Sequence, residues 1–180
     1  MISQPAILMS TGHNWKDIHW SKESLPGIDK LREYSGSQIL NRNPKVKGTA
    51  LPYRFLFDGS DSHLKWIAAA LVAKDSKKPL YRIDLSDLVS SYIGETEKNL
   101  SRIFDTTKGK DVVLFFDEAD ALFGKRTSDS SDLKTENPAL QLLESFPATL
   151  IFSTESKSNL DQAFVRRMQV CVRFPQVSTL

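Results

Sequence analysis

Asp117 and Glu118 stand where five apolar residues run straight into acid, in Val112–Arg126, VVLFFDEADALFGKR. A continuous apolar run bounded by charge fits a strand buried on both faces of a parallel sheet. At the carboxyl end of such a strand, adjacent acids point in different directions. Asp117 could hold the hydration shell of a Mg²⁺, and Glu118 could orient or deprotonate a water. The same run also reads as a buried strand that ends in a solvated acidic loop. The elements around it have to decide between the two.

Those elements alternate. Tyr53–Phe57 is strand-like and leads into a helix with Leu64, Ile67, Ala68, Leu71 and Val72 on one face. Leu80–Ile83 reads as a second strand, Leu100, Ile103 and Phe104 mark a helix, and Val112–Phe116 is the third strand. Asn137-Pro138 opens a helix carrying Leu140, Leu142 and Leu143. Thr149–Phe152 is a fourth strand. Asn159 is expected to cap a last helix with Leu160, Phe164 and Met168 inward, before a fifth strand, Val170–Phe174. Upstream, Met1–Gly12 reads as loosely held, and Trp15–Trp20 (WKDIHW) as lying across a domain surface. Ser24-Leu25-Pro26 starts a short helix that Gly36 interrupts, and Asn41–Gly48 is a basic linker. Five strands alternating with helices argue for an α/β fold with a parallel sheet covered on both faces. Right-handed crossovers then gather the strand-to-helix loops along one edge.

Composition excludes several classes. The 180 residues are 40% hydrophobic and 26% charged, with a formal charge of +2, which asks for neither nucleic acid nor an anionic membrane as partner. Cys171 is the one cysteine, so no internal disulfide and no cysteine-rich zinc site can form, and its apolar run suggests a packed thiol. His13 and His19 have no third ligand nearby and read as solvated or packed. No apolar stretch approaches the ~20 residues needed to cross a bilayer, and the N-terminal stretch lacks a basic leader, so a cytoplasmic protein is expected.

The order and spacing of these segments resemble the large subdomain of an AAA-family ATPase, from about Trp15 to Gln176. The resemblance implies a P-loop NTPase-like three-layer sandwich. Its five-stranded parallel sheet would be ordered 5-1-4-3-2, with helices on both faces. Residues 1–48 would form an approach segment and short helix, and residues 49–180 the α/β core. AAA ATPases follow the fifth strand with a helical lid. This sequence stops at Leu180, so either it is a fragment or the protein works without a lid.

Within that resemblance, Asp117 and Glu118 correspond to the Walker B pair, Asp117 toward the metal and Glu118 toward catalysis. Ser91–Leu100, SYIGETEKNL, is similar to the central-pore loop, which places Tyr92, Ile93 and Gly94 where the family grips a threaded polypeptide. An ordinary surface or packed tyrosine is the alternative. Asn159–Pro175 resembles the arginine-finger segment, with Arg166 and Arg167 in the matching positions. Adjacent arginines at a helix end also favour the negative end of the helix dipole without any neighbouring subunit. Leu150–Glu155, LIFSTE, aligns with the strand that ends in a polar sensor, usually asparagine; here it is Glu155, and an acid beside a γ-phosphate is repulsive. Asp17 and Ile18, with His19, fall where the family lines its adenine pocket.

The phosphate loop departs most. The family pattern G-x-x-x-x-G-K-[ST] maps onto Gly59, Ser60, Asp61, Ser62, His63, Leu64, Lys65 and Trp66. Lys65 could reach a β- or γ-phosphate. Leu64 replaces the second glycine, where backbone must approach the ligand closely. Trp66 replaces the hydroxyl that would ligate Mg²⁺, and an indole N–H cannot accept a metal. Asp61 adds negative charge inside the phosphate nest. His63 is an imidazole and adds little positive charge at neutral pH. The plainer reading takes Leu64 and Trp66 as helix residues packing at the first turn.

ATP and Mg²⁺ are therefore the implied ligands, with binding expected to be weak or absent. The expected function is that of a non-catalytic or regulatory subunit or assembly module. Its partners would be proteins or other AAA subunits, in a ring oligomer. The alternative is an active AAA ATPase that remodels or threads proteins. A small P-loop kinase would explain the alternation but not SYIGETEKNL or the paired arginines.

Overall fold

The computed structural model describes residues 14–36, 53–125 and 137–175. Met1–Gly12, His13, the Asn41–Gly48 linker, Arg126 and Gln176 lie outside them. Five strands form one parallel sheet: β1 (Arg54–Asp58), β2 (Leu80–Asp84), β3 (Val113–Asp117), β4 (Thr149–Thr154) and β5 (Val170–Arg173). Their order is β2-β3-β4-β1-β5, the order 5-1-4-3-2 met from the other edge. The helices are α1 (Leu25–Gly36), α2 (Ser62–Ser76), α3 (Glu95–Thr107), α4 (Asp120–Phe123), α5 (Pro138–Ser145) and α6 (Gln162–Val165).

Side chains alternate across each strand, so the sheet supports two cores. On one face, Phe55, Phe57, Val113, Phe115 and Ile151 pack with Ile28 and Leu31 of α1 and the apolar residues of α2. On the other, Leu114, Phe116, Leu150 and Phe152 pack with Leu100 and Phe104 of α3, Phe123 of α4, Leu140 of α5 and Phe164 of α6. The result is a three-layer sandwich. β3 and β4 are buried along their whole length; β3 carries an apolar run, while β4 also buries Thr149, Ser153 and Thr154. The edge strands β2 and β5 alternate buried and open positions, so the sheet is not buried throughout.

Three local readings change. The last helix is capped by Asp161, whose side chain accepts from Ala163 N, while Asn159 sits in a preceding 3-10 turn. Asp161 wins because its carboxylate stands one residue before the first helical N–H groups. Cys171 lies on the open side of β5 rather than in the core. Desolvation still raises its thiol pKa, which keeps it protonated. Trp15 and Trp20 are buried rather than merely draped: Trp15 Nε1 donates to Asp75 Oδ2 at 2.6 Å, and Trp20 stacks edge-on to Phe174.

α2 leaves β1 toward one face, whereas the helices after β3 and β4 leave toward the other. The crevice beyond the carboxyl ends of β1 and β4 is thus the topological switch point, where open α/β sheets take their ligands.

Candidate functional site

The loop after β1 closes on itself. Gly59, at φ 139°, donates its N–H to Thr154 O at 3.1 Å. Ser62 N donates to Ser60 O at 2.9 Å, and the Asp61 carboxylate accepts from Leu64 N at 2.9 Å, capping α2. Ser60, Ser62 and His63 are exposed. Leu64 and Trp66 are half-buried against the core on the α1–α2 face, which is helix packing.

Lys65 turns inward and is buried. Its Nζ donates to Gly59 O at 2.7 Å and to Thr154 O at 3.1 Å. Burial lowers its pKa, opposed by the negative charges of Asp117, Glu118, Glu155 and Asp58. One ammonium therefore stands within electrostatic reach of four carboxylates that come from the ends of three strands.

β3 delivers Asp117 buried and Glu118 exposed. Glu118 adopts φ 56°, a left-handed conformation that costs a non-glycine residue on the order of 1 kcal/mol and concentrates at functional sites. Its pKa is raised, first by desolvation and then by Asp117, Asp120, Asp84 and Glu155. Glu155 follows β4 directly and is exposed. The fold thus brings Asp117, Glu118 and Glu155 to one rim beside Lys65.

Asp117 is already engaged. Arg82 Nη2 donates to Asp117 Oδ2 at 2.5 Å, and the Arg82 guanidinium lies 5.8 Å above the centre of the Trp66 ring. Trp66 in turn meets Phe115 edge-on at 5.5 Å. Sequence reasoning passed over Arg82. Its signal was parity: Arg82 and Asp84 lie two apart on one strand, and Asp84 pairs in register with Asp117, so all three share a sheet face. Ser153, also on that face, pairs with Phe57 one strand further on, and its Oγ is buried with no hydrogen-bond partner among the described residues.

The chain from Lys65 onward, which carries β2 to β5 and the acid pair ending β3, is matched by a family model. Residues 65–176 match the model described as "ATPase family associated with various cellular activities (AAA)". The chain belongs to the AAA family. It is 28% identical over 171 residues to "Cell division protein C" of Sulfolobus acidocaldarius, covering 85% of this chain and 46% of that protein. It is 34% identical over 170 residues to an AAA family ATPase of Sinorhizobium fredii, covering 90% and 50% respectively. It is 27% identical over 161 residues to "26S proteasome regulatory subunit 7 homolog" of Schizosaccharomyces pombe, covering 83% and 36%. The chain thus spans half or less of the length of these relatives.

The AAA family implies ATP and Mg²⁺ binding in general. The groups that would meet them are Lys65, the first N–H groups of α2 and Asp117. Lys65 is bonded to carbonyls, Leu64 N in the first turn of α2 to the Asp61 carboxylate, and Asp117 to Arg82. Asp17 is likewise used locally, its carboxylate accepting from Asn14 N at 2.7 Å, and Ile18 is half-buried against the core.

The remaining AAA candidates stand apart from the rim. Gly94, at φ 77°, is the N-cap just before α3, and the loop preceding it leaves Tyr92 75% and Ile93 106% exposed. Arg166 and Arg167 follow α6 at the opposite, amino-terminal edge of the sheet, where Gln169 N donates to Arg54 O. They cannot serve this chain's own rim. Arg167 is ion-paired with Glu144 and donates to Ala163 O, beside a cavity of about 310 Å³ that Leu140, Phe164 and Met168 line. Arg166 is exposed. No helix among the described residues is long and apolar enough to cross a membrane.

Proposed function

We propose that this AAA chain is a module with impaired ATP binding and hydrolysis, which serves as a non-catalytic or regulatory subunit or assembly module among other AAA subunits. The observation that carries this reading is the phosphate loop. The Asp61 carboxylate occupies the helix N-terminus that a phosphate would need, since it accepts from Leu64 N. Lys65 spends its ammonium on Gly59 O and Thr154 O. Each charge-assisted contact denied to a nucleotide is worth about 1.5–3 kcal/mol, so losing two weakens binding on the order of a hundredfold or more.

Arg166 is the arginine such a subunit would offer across a boundary, because Arg167 is tied to Glu144. Exposed Tyr92 and Ile93 suit contact with a polypeptide at a pore. A relative named as a proteasome regulatory subunit fits a multi-subunit setting, and a cytoplasmic location agrees with the composition.

One observation favours the active alternative. Glu118 combines a raised pKa with a strained backbone, the arrangement expected of a catalytic base. Titration with a fluorescent ATP analogue and Mg²⁺, alongside Glu118→Gln, separates the two. The module reading expects no saturable low-micromolar binding, and a gain in binding for Leu64→Gly with Trp66→Thr. Low-micromolar binding together with phosphate release that Glu118→Gln abolishes would establish the active enzyme instead.

A further inference from the structure

Asp117 is buried on the sheet face that α2 covers, and a carboxylate taken out of water needs a counter-charge. In an oxygen-lined nucleotide site that charge is a divalent cation, which demands about six oxygen ligands in near-octahedral array. Here three side chains from three elements meet the demand differently. Arg82 comes from β2, Trp66 from the first turn of α2 and Asp117 from the end of β3.

The geometry is that of a built seat. Phe115 holds the Trp66 ring edge-on at 5.5 Å, and that ring presents its face to the Arg82 guanidinium at 5.8 Å. The guanidinium then reaches Asp117 Oδ2 at 2.5 Å. Cation–π attraction from the Trp66 ring and the ion pair with Asp117 both hold one planar group, whose side chain is 53% exposed. Trp66 offers no oxygen to a metal and is the surface on which the guanidinium rests.

We propose that Arg82, seated on Trp66 and paired with Asp117, is a permanent side-chain cation that takes the place of the divalent metal in this chain and closes Asp117 to Mg²⁺. The inference deepens the reading of an impaired AAA module by naming what occupies the cation position. Its consequence is that the rim keeps its charge balance with no metal present. A divalent ion approaching Asp117 must first displace a guanidinium. Removing that guanidinium leaves two carboxylates, Asp117 and Asp84, paired on neighbouring strands, with the Ser153 hydroxyl, which has no partner among the described residues, on the same sheet face.

The test is a nucleotide-free Mn²⁺ titration followed by electron paramagnetic resonance on the full chain. Wild type is expected to show no binding that Asp117→Asn removes. Arg82→Ala is expected to gain one site, at least about tenfold tighter, because a like charge a few ångströms away is gone. Arg82→Ala with Asp117→Asn should lose that site again. Arg82→Lys, which keeps the charge, should stay closed. Arg82→Gln replaces Arg82→Ala in the same comparison if the smaller residue prevents folding. Equal Mn²⁺ affinity in wild type and the uncharged Arg82 variant would overturn the proposal, as would a gained site that survives Asp117→Asn. Tight ATP binding by wild type would overturn the functional reading but not the Arg82 assignment. A failed Mn²⁺ comparison with ATP binding still absent would do the reverse.

Discussion

A Cβ placed on Gly59 would lie 1.8 Å from the carbonyl oxygen of Phe174. The two backbones are pressed together because Phe174 N donates to Asp58 O, just before the phosphate loop begins. The glycine that opens the loop is therefore also the point where β5 closes against β1. Its φ of 139° adds a second reason why only glycine fits. Gly59→Ala should cost about 2–4 kcal/mol, since the alanine meets both strain and unyielding backbone. Urea denaturation of the nucleotide-free chain measures it. A loss below about 0.5 kcal/mol would mean that the loop and β5 separate freely.

Glu118 makes a pH-dependent prediction. Its folded pKa lies above the ordinary 4.5 through desolvation and neighbouring acids. Between 4.5 and the raised value, the folded state holds a proton that the unfolded state has lost. Stability from this group is then full below 4.5 and is lost as pH rises through the folded pKa. Glu118→Gln removes the charge that is penalised at neutral pH. The variant should melt higher than wild type at pH 7, by roughly a few tenths of a kcal/mol after solvent screening, and the advantage should vanish toward pH 4. Thermal melts across that range, read by circular dichroism, decide it; an advantage that grows on acidification contradicts the sign.

The paired arginines should separate on the same kind of measurement. Arg167→Ala and Glu144→Ala should each cost about 0.5–1 kcal/mol, and the double variant should cost less than their sum. Arg166→Ala should stay within about 0.5 kcal/mol of wild type, as an exposed side chain should. Equal losses at 166 and 167 would remove the distinction between a tethered arginine and a free one.

Much of this was legible in residue order. An unbroken apolar run marked β3, and the alternation of strand-like segments with amphipathic helices implied one parallel sheet, because such strands need both faces covered. The acid pair at the end of β3 and the loop from Gly59 to Trp66 were visible as well. Asn159 was misread as a helix cap because a 3-10 turn intervenes before Asp161. Cys171 was misread as packed because an apolar run cannot by itself tell an edge strand from a central one.

By itself, then, the sequence determined the α/β class, the strand order through its AAA resemblance, and which residue types reach the rim. The class and the residue types follow from hydrophobic period and local spacing, which involve neighbours along the chain; the order is what the resemblance implied. Only the tertiary structure decided what those residues hold. Arg82 and Asp117 are far apart in sequence, Lys65 and Thr154 farther still, and each pairing depends on strand register and on which way α2 turns its first residues. Charge acts through space, so its partners become visible only when the sheet has brought them together.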